Sequence, residues 1–214
     1  MVLKPTNESH GTGVHTSIQN KEDAKAILSK LHETYTTVLA EPFISGINIR
    51  LLCMAGKCVS AIARYAPFVT GDGEKSIQGL IDAVNTDRGE GHSGSLSKII
   101  LDKDMQSHIS SQELTLESIP KTDERIYLAD KINASIGGTY EWIQDKLPAS
   151  TIAWGSEVAT KLEPNGIFAL DIICEDWKKT IEENTSWYVL EMEVAPSLRS
   201  HPVEVVDDWL ELLA

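Results

Sequence analysis

The sequence predicts an α+β fold, because segments with helical periodicity alternate irregularly with short apolar segments that suit strands. Two segments carry apolar residues at the helical intervals i, i+3, i+4 and i+7: Ala24, Ile27, Leu28 and Leu31 in the first, and Ile77, Leu80, Ile81 and Val84 in the second. A third helix is predicted over 151–162, and a fourth near the C-terminus from the spacing of Val206, Trp209, Leu210 and Leu213. The segments between these helices are left for strands.

Strands are predicted where β-branched, aromatic and other apolar residues cluster between turn residues, namely at 1–4, 14–18, 38–42, 47–54, 58–65, 125–128, 167–174 and 187–194. The sequence AGK at 55–57 predicts a hairpin turn between two of them. The stretch 85–97 is rich in glycine and charged residues and is expected to form a long mobile loop.

Composition places the chain among ordinary globular proteins, with 214 residues of which 42% are hydrophobic and 24% charged. The net charge of −13 opposes nucleic-acid binding, and a bound nucleotide would need local cations and a divalent metal. The longest apolar run, at 166–174, is too short to span a membrane, and the N-terminus has no signal-peptide pattern. Cys53, Cys58 and Cys174 have no zinc-type spacing and indicate no disulfide framework. A cytoplasmic protein that binds no membrane is therefore expected.

The N-terminal segment KPTNESHGTGVH combines a lysine on a predicted strand with a glycine-containing turn. Gly11 and Gly13 would allow backbone N–H groups to approach phosphate oxygens, and Lys4 would add a positive charge. The spacing fits neither the Walker A nor the Rossmann pattern. Taken alone, the two glycines are better explained as an ordinary structural turn.

Three carboxylates lie on two strands that are predicted to form an antiparallel hairpin. Asp171 lies in IFALDIIC, and Glu191 and Glu193 lie in WYVLEMEVAP, where residues two apart share a face. Oxygen ligands of this kind select Mg²⁺ or Mn²⁺, and the alternative is a set of acids that merely face water. Because apolar residues flank Asp171 and two acids lie near it, its pKa is expected to be raised in the absence of metal.

Basic residues on strands are candidate donors to an anion: Arg50, Arg64 and Lys131, with Asn133 in the turn that follows. Such donors would suit an anionic acyl phosphate if they converge, although basic residues on strands usually lie on a solvated face. Among the scattered histidines, His10, His15 and His201 adjoin the segments above. A single histidine is more often a surface or hydrogen-bonding residue than a catalyst.

Taken in order, these segments resemble the ATP-grasp superfamily, in the branch that contains cyanophycin synthetase, the bifunctional glutathione synthetases and acetylglutaminylglutamine synthetase. The resemblance runs almost end to end and is carried by KPTNESHGTGVH, VLAEPFISGINIRLL, ARYAPFVTGDGEKSIQGLIDAVN, RGEGHSGSLSKI, NASIGGT, and ALDII with LEMEVAPSLRSHP. It implies an ATP-grasp fold, with a small lobe at 1–45 that carries the phosphate loop and a large lobe at 46–214 that carries the metal and substrate sites.

The resemblance also implies which residues bind ATP and metal. Residues that would contact the phosphates are Lys4 and the backbone of His10, Gly11, Thr12 and Gly13. Residues that would hold the adenine and the ribose are Glu41, Phe43, Ile44 and Asn48. The metal ligands would be Asp171 and Glu191, with Glu193 contributing to a second ion. Residues that would stabilise the transferred phosphate or shape the acceptor site are Arg50, Arg64 and Asn133.

The function implied by the resemblance is an ATP- and Mg²⁺-dependent ligase that activates a carboxylate as an acyl phosphate and joins it to an amine of an amino acid or peptide. This chain departs from the family pattern at three positions. Family members usually have Asn at the position of Glu193 and Gly at that of Ser197, and an acid that faces the ribose at that of Asn48. The family also places a further segment before the phosphate loop, so the expected partners are another chain that supplies this segment or, alternatively, a second copy of this chain in a homo-oligomer. The alternatives are a non-catalytic nucleotide-binding remnant, a partner-dependent fragment of such a ligase, and a protein whose acids are merely solvated.

Overall fold

The computed structural model of the chain describes residues 1–8, 12–16, 18, 20–89, 96–130, 132, 136–162, 166–198, 200–202 and 205. These residues form two compact units, Met1–Ser45 and Gly46–Ala214. Helices and antiparallel strands are mixed along the chain, which confirms the α+β prediction. None of the helices in the described ranges is both long and apolar enough to cross a membrane.

The first unit pairs two short strands and packs one helix against them. The strands β1 (Val2–Pro5) and β2 (Val38–Glu41) are antiparallel. The helix α1 (Lys21–His32) begins after Asn20, whose side-chain oxygen accepts a hydrogen bond of 2.8 Å from the backbone N–H of Asp23 and so caps the helix. Among the described residues of this unit, the apolar cluster has three buried members, Leu3, Ile18 and Leu31.

The second unit is built on five antiparallel strands, β3 (Ile47–Met54), β4 (Lys57–Tyr65), β7 (Thr139–Trp142), β8 (Ile167–Cys174) and β9 (Trp187–Val194). Their order in the sheet is β7-β4-β3-β8-β9. The helix α4 (Ala149–Leu162) packs on one face, where the core includes the fully buried residues Ile49, Leu51, Phe168 and Ile172. Because side chains alternate along a strand, Asn48 and Arg50 lie on the opposite face.

The hairpin between β3 and β4 fixes the register of the central strands. Its two turn residues, Ala55 and Gly56, have φ angles of 46° and 73°. Positive φ at both positions is the type I′ geometry that matches the twist of the flanking strands. The predicted turn at 55–57 is therefore confirmed. The register shifts by one residue between Leu52 and Cys53, and beyond this irregularity Asn48 lies opposite Arg64.

A second apolar cluster of this unit lies around a two-stranded sheet and two helices. The strand β5 (Phe68–Thr70) pairs with β6 (Arg125–Tyr127). The helices are α2 (Ile77–Gly89) and α3 (Lys103–Ser111). Their buried apolar residues include Val69, Ile77, Ile81, Met105, Ile109 and Leu128.

Most predicted elements are confirmed, and the strands 47–54, 167–174 and 187–194 match in both bounds. Each of these segments has eight residues with a continuous run of apolar side chains on at least one face. The short or polar elements that were not predicted are β5, β7, α3 and a 3₁₀ helix at Gln144–Lys146.

Two predictions of local structure are wrong. The predicted strand at 14–18 is absent from the described residues, where His15 forms only an isolated bridge with Leu3. The predicted loop at 85–97 begins too early, because α2 continues to Gly89. The rest of that loop at 90–95 and the predicted helix at 206–213 lie outside the described residues.

Candidate functional site

The register of β3, β4, β8 and β9 brings charged side chains to the sheet face opposite α4. Arg50 pairs with Asp171 across β3 and β8, and Asp171 pairs with Glu191 across β8 and β9. Directly opposed residues share a face of the sheet. Glu193 is opposite Ala169, two positions from Asp171, and therefore lies on the same face. We call Asn48, Arg50, Arg64, Asp171, Glu191 and Glu193 the acid–arginine cluster.

The carboxylate of Asp171 is the centre of this cluster and is only 2% exposed. Arg50 donates to it twice, from Nε to Oδ1 at 2.7 Å and from Nη2 to Oδ2 at 2.8 Å. Arg64 donates from Nη2 to Oδ2 at 2.7 Å. Both oxygens of Asp171 therefore accept charge-assisted hydrogen bonds from guanidinium groups.

Each of the two arginines also contacts a further cluster residue. Arg50 Nη2 lies 2.5 Å from Glu193 Oε2, so that this guanidinium joins two carboxylates. Arg64 donates from Nε to Asn48 Oδ1 at 2.7 Å. Asn48, which was expected to face a ribose, therefore holds Arg64 in this structure.

The expected rise in the pKa of Asp171 is wrong. Burial does act to raise this pKa and is the largest influence on it. The hydrogen bonds and charges of Arg50 and Arg64 together outweigh burial and hold the pKa of Asp171 below its ordinary value. The sequence-based expectation failed because it placed two acids near Asp171 and did not bring both arginines to the same carboxylate.

The acids of the cluster have the oxygen donors that suit a hard divalent cation. Across the residues described in the structure, however, no group of three or more His, Cys, Asp or Glu side chains is arranged to hold a metal ion. Asp171 instead directs both oxygens to Arg50 and Arg64. The donor types thus fit Mg²⁺ or Mn²⁺, but the arrangement of Asp171 does not, and its assignment as a ligand with Glu191 and Glu193 stays a prediction.

A buried histidine lies on the same sheet face and was not predicted to belong to the site. His201 is 6% exposed, and its Nδ1 lies 2.8 Å from the hydroxyl oxygen of Ser60 on β4. Burial, helped by the positive charge of Arg50, lowers the pKa of His201 from 6.5 to about 4. The imidazole is therefore neutral at physiological pH. Its position after a proline-containing loop gave no periodic signal from which burial could be predicted.

The first unit brings together two of the residues that were expected to contact ATP. Lys4 Nζ forms an ion pair of 2.8 Å with Glu41 Oε2 across β1 and β2, and both side chains are partly exposed. Gly13 has a φ of +70°, and a Cβ there would lie only 2.8 Å from Pro5 Cγ. The glycine is therefore required by a close turn against β1, which supports the structural interpretation of this residue.

Three further predicted residues that the structure describes, Thr12, Phe43 and Ile44, are not part of either contact network. Phe43 is 57% exposed, Thr12 is exposed and Ile44 is partly buried. Four predicted or noted positions lie outside the described residues: His10, Gly11, Lys131 and Asn133.

Comparison with known sequences identifies similar ligases, although no protein-family model matches the chain. The chain is 31% identical over 205 residues to cyanophycin synthetase from Synechocystis sp., which covers 94% of the chain and 23% of that protein. It is 30% identical over 207 residues to the glutathione biosynthesis bifunctional protein GshAB from Desulfotalea psychrophila. This match covers 94% of the chain and 26% of that protein. The chain thus spans about a quarter of the length of these relatives.

Comparison with solved structures gives the same group of enzymes. A bifunctional glutathione synthetase from Pasteurella multocida matches with a TM-score of 0.68 and 26% identity, covering 99% of this chain and 31% of that one. D-alanine–D-alanine ligase from Bacillus anthracis, complexed with ATP, matches with a TM-score of 0.51 and 15% identity over 97% of this chain and 47% of that one. The second likeness concerns the fold alone.

Proposed function

Since the chain is homologous to ATP-grasp ligases and has their fold, we propose that it is an ATP-dependent ligase that joins the carboxylate of an amino acid or peptide to an amine. The proposed reaction passes through an acyl phosphate and uses Mg²⁺ or Mn²⁺. Support comes from relatives named for cyanophycin and glutathione synthesis.

The observation that carries this proposal is the convergence of Arg50 and Arg64 on one carboxylate. The chain has a net charge of −13, so an anionic ligand is attracted only where positive charge is concentrated locally. The acid–arginine cluster supplies two guanidinium groups, one of them buried, but also three carboxylates, so an anionic group would bind there only together with a divalent cation. Arginine also matches the geometry of phosphoryl and carboxylate oxygens better than lysine does.

Phosphoryl transfer requires positioning and charge neutralisation more than covalent chemistry from the protein. Arg50 and Arg64 would bind the oxygens of the transferred group or of the substrate carboxylate. Glu193 and Asn48, through their contacts with the two arginines, would hold these guanidinium groups in place. A divalent cation, when bound, would neutralise further phosphate charge. The burial of Asp171 and Arg50 would limit water that could hydrolyse an acyl phosphate.

Lys4 and Glu41 are proposed as nucleotide contacts of the first unit. The ammonium group of Lys4 already pairs with the partly exposed carboxylate of Glu41. A phosphate oxygen would compete with the Glu41 carboxylate for the same ammonium group, and a released Glu41 could accept from the adenine amine. Lys4→Ala is therefore expected to weaken nucleotide binding with little effect on the fold.

A second candidate function is nucleotide binding without turnover. The three hydrogen bonds from the arginines to Asp171 favour it, because a carboxylate in that state is not available as a metal ligand. The two candidates differ in one measurable quantity, which is the release of ADP in the presence of an amino acid or dipeptide.

Isothermal titration calorimetry of the full chain with Mg·ATP and Mg·ADP tests the shared part of both proposals. Binding that is weakened in Lys4→Ala and unchanged in Lys161→Gln is expected, since Lys161 forms an exposed pair with Glu157. If folded protein showed no heat of binding with either nucleotide, both proposals would be removed. ADP release that increases on addition of single amino acids, screened one at a time, would then separate the ligase from the binding protein.

A further inference from the structure

The outer strand of the five-stranded sheet exposes a large amount of apolar surface. Val189, Met192 and Val194 are 50%, 45% and 71% exposed, and Tyr188 and Leu190 on the same strand are also exposed. The strand β9 ends the order β7-β4-β3-β8-β9, and no strand among the described residues pairs with its outer side. An edge of this kind presents backbone N–H and C=O groups that can pair with a further strand. An exposed apolar edge strand is therefore a candidate interaction surface.

The register of β9 separates its apolar and acidic side chains onto the two faces of the sheet. Val189, Met192 and Val194 lie opposite residues of β8 that belong to the core beneath α4. We call these three residues the apolar edge. Glu191 and Glu193 lie on the other face, with the acid–arginine cluster. The edge strand thus has one apolar face and one acidic face.

Two parts of this chain lie near the apolar edge and leave it exposed. The helix α4 packs mainly against β3 and β4, and it meets the start of β9 where the rings of Trp154 and Trp187 stack edge to face at 5.8 Å. After β9 the chain crosses the other face of the sheet, where Leu198 and Val205 pack in a cluster with Leu52. The described chain therefore ends on the face opposite the apolar edge.

The charges of β9 indicate which kind of strand can pair with it. Pairing with β9 of a second copy would bring Glu191 and Glu193 of both copies onto one face of a joined sheet, and like charges opposite each other destabilise a strand pair. The net charge of −13 adds a general repulsion between copies. A strand with apolar residues on one face and basic residues on the other matches both faces of β9.

We propose that β9 is a docking edge, which takes up an extended segment of another polypeptide with alternating apolar and basic residues as a further strand of the sheet. Backbone hydrogen bonds hold the added strand in place. The apolar edge contacts its apolar side chains, and Glu191 and Glu193 attract its basic side chains. The inference does not depend on the proposed nucleotide function, because strand addition to β9 requires no ATP.

The test measures binding of a fluorescently labelled peptide to the full chain by fluorescence anisotropy at physiological ionic strength. The probe has eight residues, the length of β9, in which lysine and valine alternate. Three comparison peptides have glutamate in place of lysine, the same residues in two blocks, or two prolines that prevent pairing in a sheet. The alternating lysine peptide is expected to bind at least about tenfold more tightly than each comparison peptide.

A double variant, Met192→Gln with Val194→Gln, tests the apolar edge directly. Both side chains are exposed, so their replacement should leave the fold intact, which circular dichroism checks. The variant is expected to bind the alternating lysine peptide about tenfold more weakly, because it offers less apolar surface to the added strand. Ile100→Gln is the matched control, since Ile100 is 63% exposed outside β9, and it should bind like the parent.

Four outcomes would overturn the docking edge. These are no binding of the alternating lysine peptide, or equal binding of the block and proline peptides, which would reduce the attraction to net charge. A dimer of the parent in sedimentation analysis that the double variant does not form would assign β9 to a second copy instead. Stronger peptide binding by a chain that ends at residue 205 would assign the apolar edge to 206–214. Specific peptide binding by a chain that binds no nucleotide would support the docking edge while removing the proposed ligase function.

Discussion

At the scale of single residues, the energetics of the cluster depend on Asp171. A buried carboxylate is tolerated only when its charge is compensated, and here two guanidinium groups provide that compensation. The sequence predicted that a positive charge would compensate Asp171, because an acid within an apolar strand requires a cation. It did not predict that Arg50 supplies this charge, since the pairing of residues 121 positions apart depends on the register of β3 and β8.

The first prediction concerns Asp171→Asn, which removes the charge and keeps the shape. The raised pKa that the sequence predicted for Asp171 would imply equal or greater stability of this variant without metal, and the arginine contacts reverse that implication. Because Arg50 and Arg64 lose their shared counter-ion, the free energy of unfolding should fall by about 3 kcal/mol, as is typical when one partner of a buried ion pair is removed. Urea denaturation at neutral pH measures this. Glu157→Gln, in an exposed pair with Lys161, is the control and should change stability by less than about 0.5 kcal/mol.

The second prediction concerns the pH dependence of stability that arises from His201. Its pKa is lowered from 6.5 to about 4 in the folded chain, so the unfolded chain binds more protons between these values. The stabilisation from a neutral His201 is therefore present above pH 6.5 and is lost as the pH falls towards 4. Between pH 7 and pH 5 the free energy of unfolding should fall by about 2 kcal/mol from this group.

Urea denaturation of the parent and of His201→Asn at both pH values measures this contribution. The variant should lose less stability on acidification than the parent. His32→Asn, at an exposed position on α1, is the matched control and should retain the slope of the parent. Equal slopes for the parent and His201→Asn would show that His201 is not the buried neutral group described here.

At the scale of elements, the long apolar strands were predictable and the short or polar elements were not. The strands β3 and β8 carry enough apolar residues to define their period and their bounds. The strand β5 has three residues, and α3 buries only Met105 and Ile109 among polar neighbours. Such elements form because tertiary packing fixes them, and their local sequences carry little periodic signal.

The third prediction concerns the approach of α4 to the sheet. Gly155 lies against β3 and β4, where an added Cβ would come within 3.1 Å of Cys58 Cβ and 3.2 Å of Leu51 Cδ1. A larger side chain would overpack this contact, so Gly155→Leu should lower the free energy of unfolding by about 2 kcal/mol. Gly79→Ala on α2 is the matched comparison, since a Cβ there has ordinary contacts no closer than 3.5 Å. It should stabilise the chain by about 0.5–1 kcal/mol through helix propensity, and urea midpoints of both variants test the contrast.

At the scale of the whole molecule, the sequence predicted the α+β class and the type of ligase fold. It did not predict which charged side chains contact each other. Composition and periodicity determine which segments are helices or strands, whereas the contacts of Asn48 with Arg64 and of Arg50 with Glu193 need the three-dimensional register. Lys4 and Glu41 were each predicted as ATP contacts, and their mutual ion pair was not. Assignments that rest on side-chain convergence thus depend on the structure, even when the residues themselves were identified from the sequence.

The last prediction concerns the independent stability of the two units. The unit Gly46–Ala214 contains three apolar clusters, two of which have nine or more buried residues, and the five-stranded sheet. In the part of Met1–Ser45 that the structure describes, the apolar cluster has three buried members, packed around one helix and two short strands. A chain of this size with so small a core seldom offsets its conformational entropy. Residues 46–214 produced alone should therefore show a cooperative urea transition, and residues 1–45 alone should show none by circular dichroism. The Asp171→Asn penalty should be the same in residues 46–214 as in the full chain, because Arg50 and Arg64, which donate to Asp171, lie in that unit. A smaller penalty in the excised unit would mean that the acid–arginine cluster depends on residues 1–45.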